Sequence, residues 1–145
     1  MQIVIGWILI LFGGGLYLAQ LISSINFSLA QRLGIQEKPE TADTLFQRSE
    51  RYTAYWDLVT LLWLPLAGVL MVIDHSWWPV MSLLGGAIYF DTAGREAVKN
   101  LSFQHEGVRV GTDKVRRVFF ASYYAMAVIA VVVIVFSIFV LYTSL

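Results

Sequence analysis

The residues best suited to chemistry fall in one run: Asp91, Arg95, Glu96 and Lys99, with His105 and Glu106 soon after. Acid, base and cation together beside lipid would suit an enzyme acting on headgroups or acyl chains. Asp91 and Arg95 are spaced i,i+4 and Glu96 and Lys99 i,i+3, so on a helix each pair is equally a salt bridge on one face. Neither metal-ligand spacing nor a nucleophile motif accompanies them. The simpler expectation for Asp91, Arg95, Glu96 and His105 is an inner-face polar cluster on a solvated helix extension.

A second run, GTDKVRRVFF, begins at Gly111. A helix N-terminus and basic side chains both attract phosphate, so Lys114, Arg116 and Arg117 are candidates for contact with anionic lipid. The same charges would also fix orientation without any specific site. His75 and His105 are the only histidines. The topology derived below puts them on opposite sides of a membrane, where they cannot share a metal or a haem. The absence of cysteine removes disulfides, thiolate metal sites and Cys nucleophiles together. No cofactor is specified by the residue pattern. Basic and acidic residues balance at ten each, and no basic, aromatic-interleaved patch points to nucleic acid.

The elements that must carry these residues belong to a membrane protein. The chain has 145 residues, suited to a single domain over 1–145. Only 14% are charged and 58% are hydrophobic, against about 25% charged in soluble domains. A bilayer core of about 30 Å needs about 20 apolar residues as helix. Runs near 3–28 and 118–143 meet that length. Residues 58–90 are apolar but interrupted by DHSWWP. As one helix they would be about 50 Å long with Asp74 at the centre, so the chain should turn near Asp74–His75. Pro79 then falls in the first turn of the next helix, where proline is tolerated. The expected spans are thus about 3–28, 56–73, 78–91 and 118–143, with loops about 29–55 and 92–117.

A re-entrant hairpin over 58–90 is the competing arrangement. Two full spans are favoured because Tyr52–Asp57 and Asp91–Val98 can extend them as helix. All ten Lys and Arg lie in 29–55 or 92–117. The positive-inside rule therefore places both loops in the cytoplasm and both termini outside a plasma (inner) membrane. Met1–Gln31 lacks a basic n-region and reads as an uncleaved span rather than a signal peptide.

The first long loop offers an amphipathic helix before span 2, with Thr41 or Asp43 as N-cap and Leu45, Phe46, Ser49, Tyr52 and Trp56 recurring at helical spacing. LSFQHEGVRV alternates around Glu106-Gly107, as a small hairpin would. Pro65 should free the carbonyl of Leu61 and kink span 2. Thr112 should cap the last helix.

LFGGGLYLAQLISSINFSLAQ, starting at Leu11, is uncharged but rich in glycine and amides. Gly13, Gly14, Tyr17, Gln20, Ser24 and Ser28 lie on or near one helix face, opposite Leu18, Leu21 and Leu29. Glycines allow close backbone approach, and an amide in lipid needs a protein or water partner. This is expected to be a helix-contact face. Ser82, Gly85, Gly86 and Tyr89 in span 3, and Ala121, Ser122, Ala125 and Ala130 in span 4, offer matching surfaces.

The expected fold is an all-α integral membrane protein, a four-transmembrane-helix bundle with an amphipathic helix on the cytoplasmic side before span 2. The leading functional expectation is a non-enzymatic subunit of a homo-oligomer or larger membrane complex. Its partners would be the lipid bilayer, itself or other membrane subunits, with anionic lipid as a further contact and no nucleic acid. A small oligomeric channel or transporter is one alternative, and a membrane enzyme acting on a lipid-like substrate another.

The topology predicts that a cysteine replacing Ser76 reacts with an impermeant thiol reagent added to sealed cells, while one replacing Ser102 does not. Labelling at Ser102 with Ser76 silent would reverse the orientation.

Overall fold

A computed structural model describes residues 1–143, which form six helices. They are α1 (Gln2–Ile25), α2 (Phe27–Arg32), α3 (Thr44–Thr60), α4 (Trp63–Val72), α5 (Trp78–His105) and α6 (Asp113–Thr143). The described residues include no strand; Ala42 and Val110 make an isolated antiparallel bridge. Three helices are long and apolar enough to cross a membrane: Gln2–Ile25, Thr44–Val72 and Asp113–Thr143. The 28 residues of α5 would extend about 42 Å at 1.5 Å each.

The connections follow local chemistry. The α4–α5 turn falls at 73–77, with Asp74 in the left-handed region at φ 54°. The His75 amide reaches back to the Leu70 carbonyl at 2.9 Å, closing a Schellman cap. Pro79 lies in the first turn of α5. The expected hairpin over LSFQHEGVRV does not form. Residues up to His105 continue α5, and Gly107, at φ 76°, is the C′ residue of its cap. The Gly107 amide bonds to Gln104 O and the Val108 amide to Phe103 O. A Glu-Gly pair serves a hairpin turn or a helix end equally well, and Phe103 decides between them by packing edge-to-face on Phe46 at 5.8 Å.

The segment expected as an amphipathic helix is α3, which runs into α4. It is the first half of a helical run from Thr44 to Val72, loosened at Leu61–Leu62. Its inward residues are Phe46, Ala54 and Asp57, while Leu45, Tyr52, Tyr55 and Trp56 face out. The first long apolar helix, α1, ends at Ile25. Asn26 caps α2 through a 3.0 Å bond from the Leu29 amide.

Packing runs in the order α1, α4, α5, α6, with α3 also against α1. Glycines set the closest crossings. A Cβ on Gly68 would come within 2.7 Å of Gly6 O, and one on Gly6 within 2.9 Å of Gly68 O. A Cβ on Gly85 would meet the Leu64 backbone at 2.9 Å, and one on Gly86 would meet Ile134 of α6 at 2.8 Å. Gly13 fits against Pro65, where an added Cβ would come within 3.0 Å of the proline Cδ. Gly14 and Gly15 have no atom within 4 Å of an added Cβ. The small-residue surface of α5 therefore meets α4 and α6, because α4 lies between it and α1.

Pro65 leaves the Leu61 carbonyl without its helical donor. The buried Tyr89 hydroxyl fills that place at 3.1 Å and also lies 3.4 Å from Gly13 O. One side chain of α5 thus ties the break in the α3–α4 run to α1.

These crossings predict opposite outcomes for two glycine-to-alanine changes. Gly68→Ala pushes a methyl into backbone and should destabilise by about 1–3 kcal/mol, as overpacking does. Gly14→Ala should be neutral or stabilising by up to about 1 kcal/mol through helix propensity. Unfolding midpoints in detergent measure both, and equal loss for the two variants would contradict the packing.

Candidate functional site

Below the Tyr89 knot, charged residues turn inward. On α3, Phe46, Glu50, Thr53, Asp57 and Leu61 follow one another at helical spacing along its inner side. On α5, Thr92, Glu96 and Asn100 do the same, each four residues apart. Asp57 is 1% exposed and Glu96 6%. Buried carboxylates are costly unless paired and hydrogen-bonded, so their partners define the site.

Lys99 sits between two of them. Its ammonium pairs with Glu50 at 2.8 Å and with Glu96, and donates to Thr53 Oγ1 at 3.1 Å. Gln20, from α1, donates its amide to Asp57 Oδ2 at 3.0 Å. Arg95 stands 3.9 Å from Asp57 on the other side and 3.6 Å from Asp91. Asn100 donates to the Tyr123 hydroxyl of α6 at 3.0 Å and to Glu96 O at 3.2 Å. Four helices meet through these bonds.

The cluster surrounds a chamber of about 290 Å³. Leu16, Ala19 and Gln20 of α1, Asp57 and Leu61, Thr92 and Glu96, and Phe119, Ser122, Tyr123 and Met126 of α6 form its wall. Gly34, Ile35 and Gln36 line it as a strap after α2. Gln36 anchors the strap by donating to Ser23 Oγ of α1 at 3.2 Å. Several oxygens there accept no hydrogen bond: Gln20 Oε1, Asp57 Oδ1 and Glu96 Oε1.

Farther out, the strap is clasped to the loop between α5 and α6. Asp43 accepts from the Arg109 amide at 2.9 Å and from its Nε at 2.8 Å. Asp43 is the residue before α3, but its carboxylate makes no cap bond and serves Arg109 instead. Those donors hold its carboxyl below the ordinary carboxylate range. The clasp therefore supports folding above the ordinary carboxylate range and is lost as pH falls through the lowered value. The Glu37 carboxyl rests on Gly111, where a Cβ would come within 2.5 Å of it. The φ of 109° at Gly111 also favours glycine.

The residues singled out in the sequence separate in space. Glu96 enters the chamber. Asp91 and Arg95 lie on the exposed side of α5, and His105 is exposed at its end. Both salt bridges read from the spacing form, Asp91–Arg95 and Glu96–Lys99. Of the α1 stripe, Gln20 lines the chamber and Gly13 faces Pro65 and Tyr89. Ser24 is buried with its hydroxyl on Leu21 O, Tyr17 is half-buried, and Ser28 is exposed. Gly85 and Gly86 face α4 and α6. Arg116 binds Gln104 Oε1 at 3.1 Å and pairs with Asp113, while Lys114 and Arg117 are exposed. Thr112 accepts from the Val115 amide at 3.4 Å at the start of α6.

Glu50, Asp57 and Asn100 escaped the sequence reading. Their signal is periodicity: Glu50 and Asp57 are seven apart, two helical turns, and share a face with Thr53 and Leu61. The same inward face also carries Phe46 and Ala54, so the polar residues on it do not stand out by polarity alone. No known protein family, curated protein or solved structure matches this chain.

The position of Lys99 predicts a large effect for its removal. Lys99→Met leaves Glu50 and Glu96 facing each other without a cation, and breaking a buried pair in this way costs about 3–5 kcal/mol. Glu96→Gln leaves Lys99 its bond to Glu50 and should cost less. Chemical unfolding of both in detergent measures the order, and a reversed order would remove Lys99 from the centre of the cluster.

Proposed function

We propose that the chain is a four-span, non-enzymatic integral membrane protein of the plasma (inner) membrane that works as a solute-binding subunit. It acts within a homo-oligomer or a larger membrane complex. The observation that carries this reading is the partly open chamber lined by buried carboxylates. Ionisable groups inside a membrane bundle are expensive and usually functional.

Distances along the helices support the four-span arrangement. Asp57 lies 16 residues before Ile73, about 24 Å at helical rise, and Glu96 lies 18 residues after Trp78, about 27 Å. Gln20 lies as far from Gln2. All three then reach one depth, near the inner edge of a core about 30 Å thick. The basic residues gather on that side, exposed Trp77 marks the outer edge, and exposed Tyr52, Tyr55 and Trp56 mark the inner one. Lys114 and Arg117 are free to meet anionic headgroups there. The open face at Gly14 and Gly15 leaves room for a second helix.

The channel or transporter alternative shares this chamber, since Gln20 lines it; Tyr17 and Ser24 do not. The enzyme alternative needs Asp91, Glu96 and His105 to converge, and they point to separate surfaces.

A binding site and a structural cluster differ in one variant. Asp57→Asn keeps the shape and removes the charge. A site maintained for binding predicts that the empty variant melts at or above the wild-type temperature, because a poorly compensated carboxylate is relieved. A drop of several degrees would mean that Asp57 serves the fold, and the proposal would fail.

A further inference from the structure

We infer that the chamber takes a small protonated amine, with one positive charge, N–H donors and a short hydrocarbon body. This rests on the reading of the chamber as a binding site and names the chemistry of its occupant.

Charge comes first. Glu50, Asp57 and Glu96 face Lys99, while Arg95 is shared between Asp57 at 3.9 Å and exposed Asp91 at 3.6 Å, so carboxylates outnumber cations. Arg95 is 39% exposed on its side chain, so Asp57 is the carboxylate least well matched. A cation reduces this excess, whereas an anion would add to it.

Hydrogen-bond polarity narrows the class further. Gln20 Oε1, Asp57 Oδ1 and Glu96 Oε1 are buried acceptors without donors. None of the buried wall atoms without a partner is an N–H. Buried polar groups are nearly always satisfied, by protein, water or ligand, so this wall favours an occupant that donates. An ammonium has three donors and no acceptor, which is the complement of this wall. A quaternary ammonium carries the charge but has no N–H. A metal ion would need ligands converging on one point, and no such group of His, Asp or Glu occurs among the described residues.

The remaining wall fits the body of such a molecule. Leu16, Leu61, Val118 and Met126 are apolar, and Phe119 and Tyr123 are aromatic, a side-chain type that attracts cations. At about 290 Å³, the chamber stands at the small end of ligand pockets, about 300–1,000 Å³.

The test titrates the full chain in phosphatidylcholine nanodiscs with butylammonium, tetramethylammonium, sodium, n-butanol and butyrate at constant ionic strength. Heat of binding and thermal midpoint are read together, since a ligand of the folded state raises the midpoint. Butylammonium should bind saturably and raise the midpoint, and the other solutes should act at least tenfold more weakly. Asp57→Asn and Glu96→Gln should each weaken butylammonium binding tenfold or more. Ala19→Phe, which fills the chamber, should abolish it, and Ser102→Ala, exposed and away from the chamber, should leave it unchanged.

An equal response to tetramethylammonium or sodium would overturn the amine assignment, as would butylammonium binding untouched by both carboxylate variants. Binding of n-butanol or butyrate in preference, lost in Ala19→Phe, would overturn the amine and keep the chamber as a binding site. If no solute binds and Ala19→Phe only raises stability, the chamber is a packing gap and both proposals fall.

Discussion

A proline in the middle of a helix leaves a carbonyl with no donor, and in an apolar bundle there is no water to supply one. The Tyr89 hydroxyl supplies it here, on Leu61 O, and lies against Gly13 O as it does so. That single group needs α1, the α3–α4 run and α5 within one hydroxyl's reach. Gly13 must lack a side chain because Pro65 occupies the space, and Gly85 must lack one because α5 lies on Leu64. The Gly6–Gly68 crossing above the knot holds α1 at the same close distance.

Below the knot the same helices diverge around a different kind of residue. Outside it, Trp78 stacks on Phe136 and Leu9 and Leu64 are fully buried, as in any apolar core. Inside, Lys99 is held between two carboxylates and Asp57 relies on an amide and a distant guanidinium. A bundle optimised for stability alone would place apolar residues there, since buried ion pairs rarely improve on well-packed hydrophobic groups. The uneven satisfaction is the physical ground for reading the chamber as a place where something binds.

The strap joins these two regions to the surface. Gln31 donates to Glu37 O at 2.7 Å and to Gln47 at 3.0 Å, so the segment after α2 is fastened to the start of α3. Asp43 and Arg109 then fasten that corner to the far loop. Gln31 and Gln47 there tie the backbone carbonyls of Glu37 and Ala42, which no helix satisfies.

Hydrophobic length and charge placement in the sequence determine the helical membrane-type chain, the turn at Asp74, the proline at the start of α5 and the two salt bridges along it. Each depends on neighbours within one or two turns. The freed Leu61 carbonyl is likewise local, since it follows from Pro65 alone. What the sequence could not decide was direction. Triple glycine looks the same whether one residue or three meets a helix, and only packing shows that Gly13 does and Gly14 does not. Glu106-Gly107 ends a helix rather than turning a hairpin because Phe103 finds Phe46 nearly 60 residues away in the chain. Asp57 becomes the centre of a site only because Gln20 and Arg95, from two other helices, arrive beside it. Local rules set which elements form, but which faces meet depends on contacts between distant segments, and that is where the chamber is made.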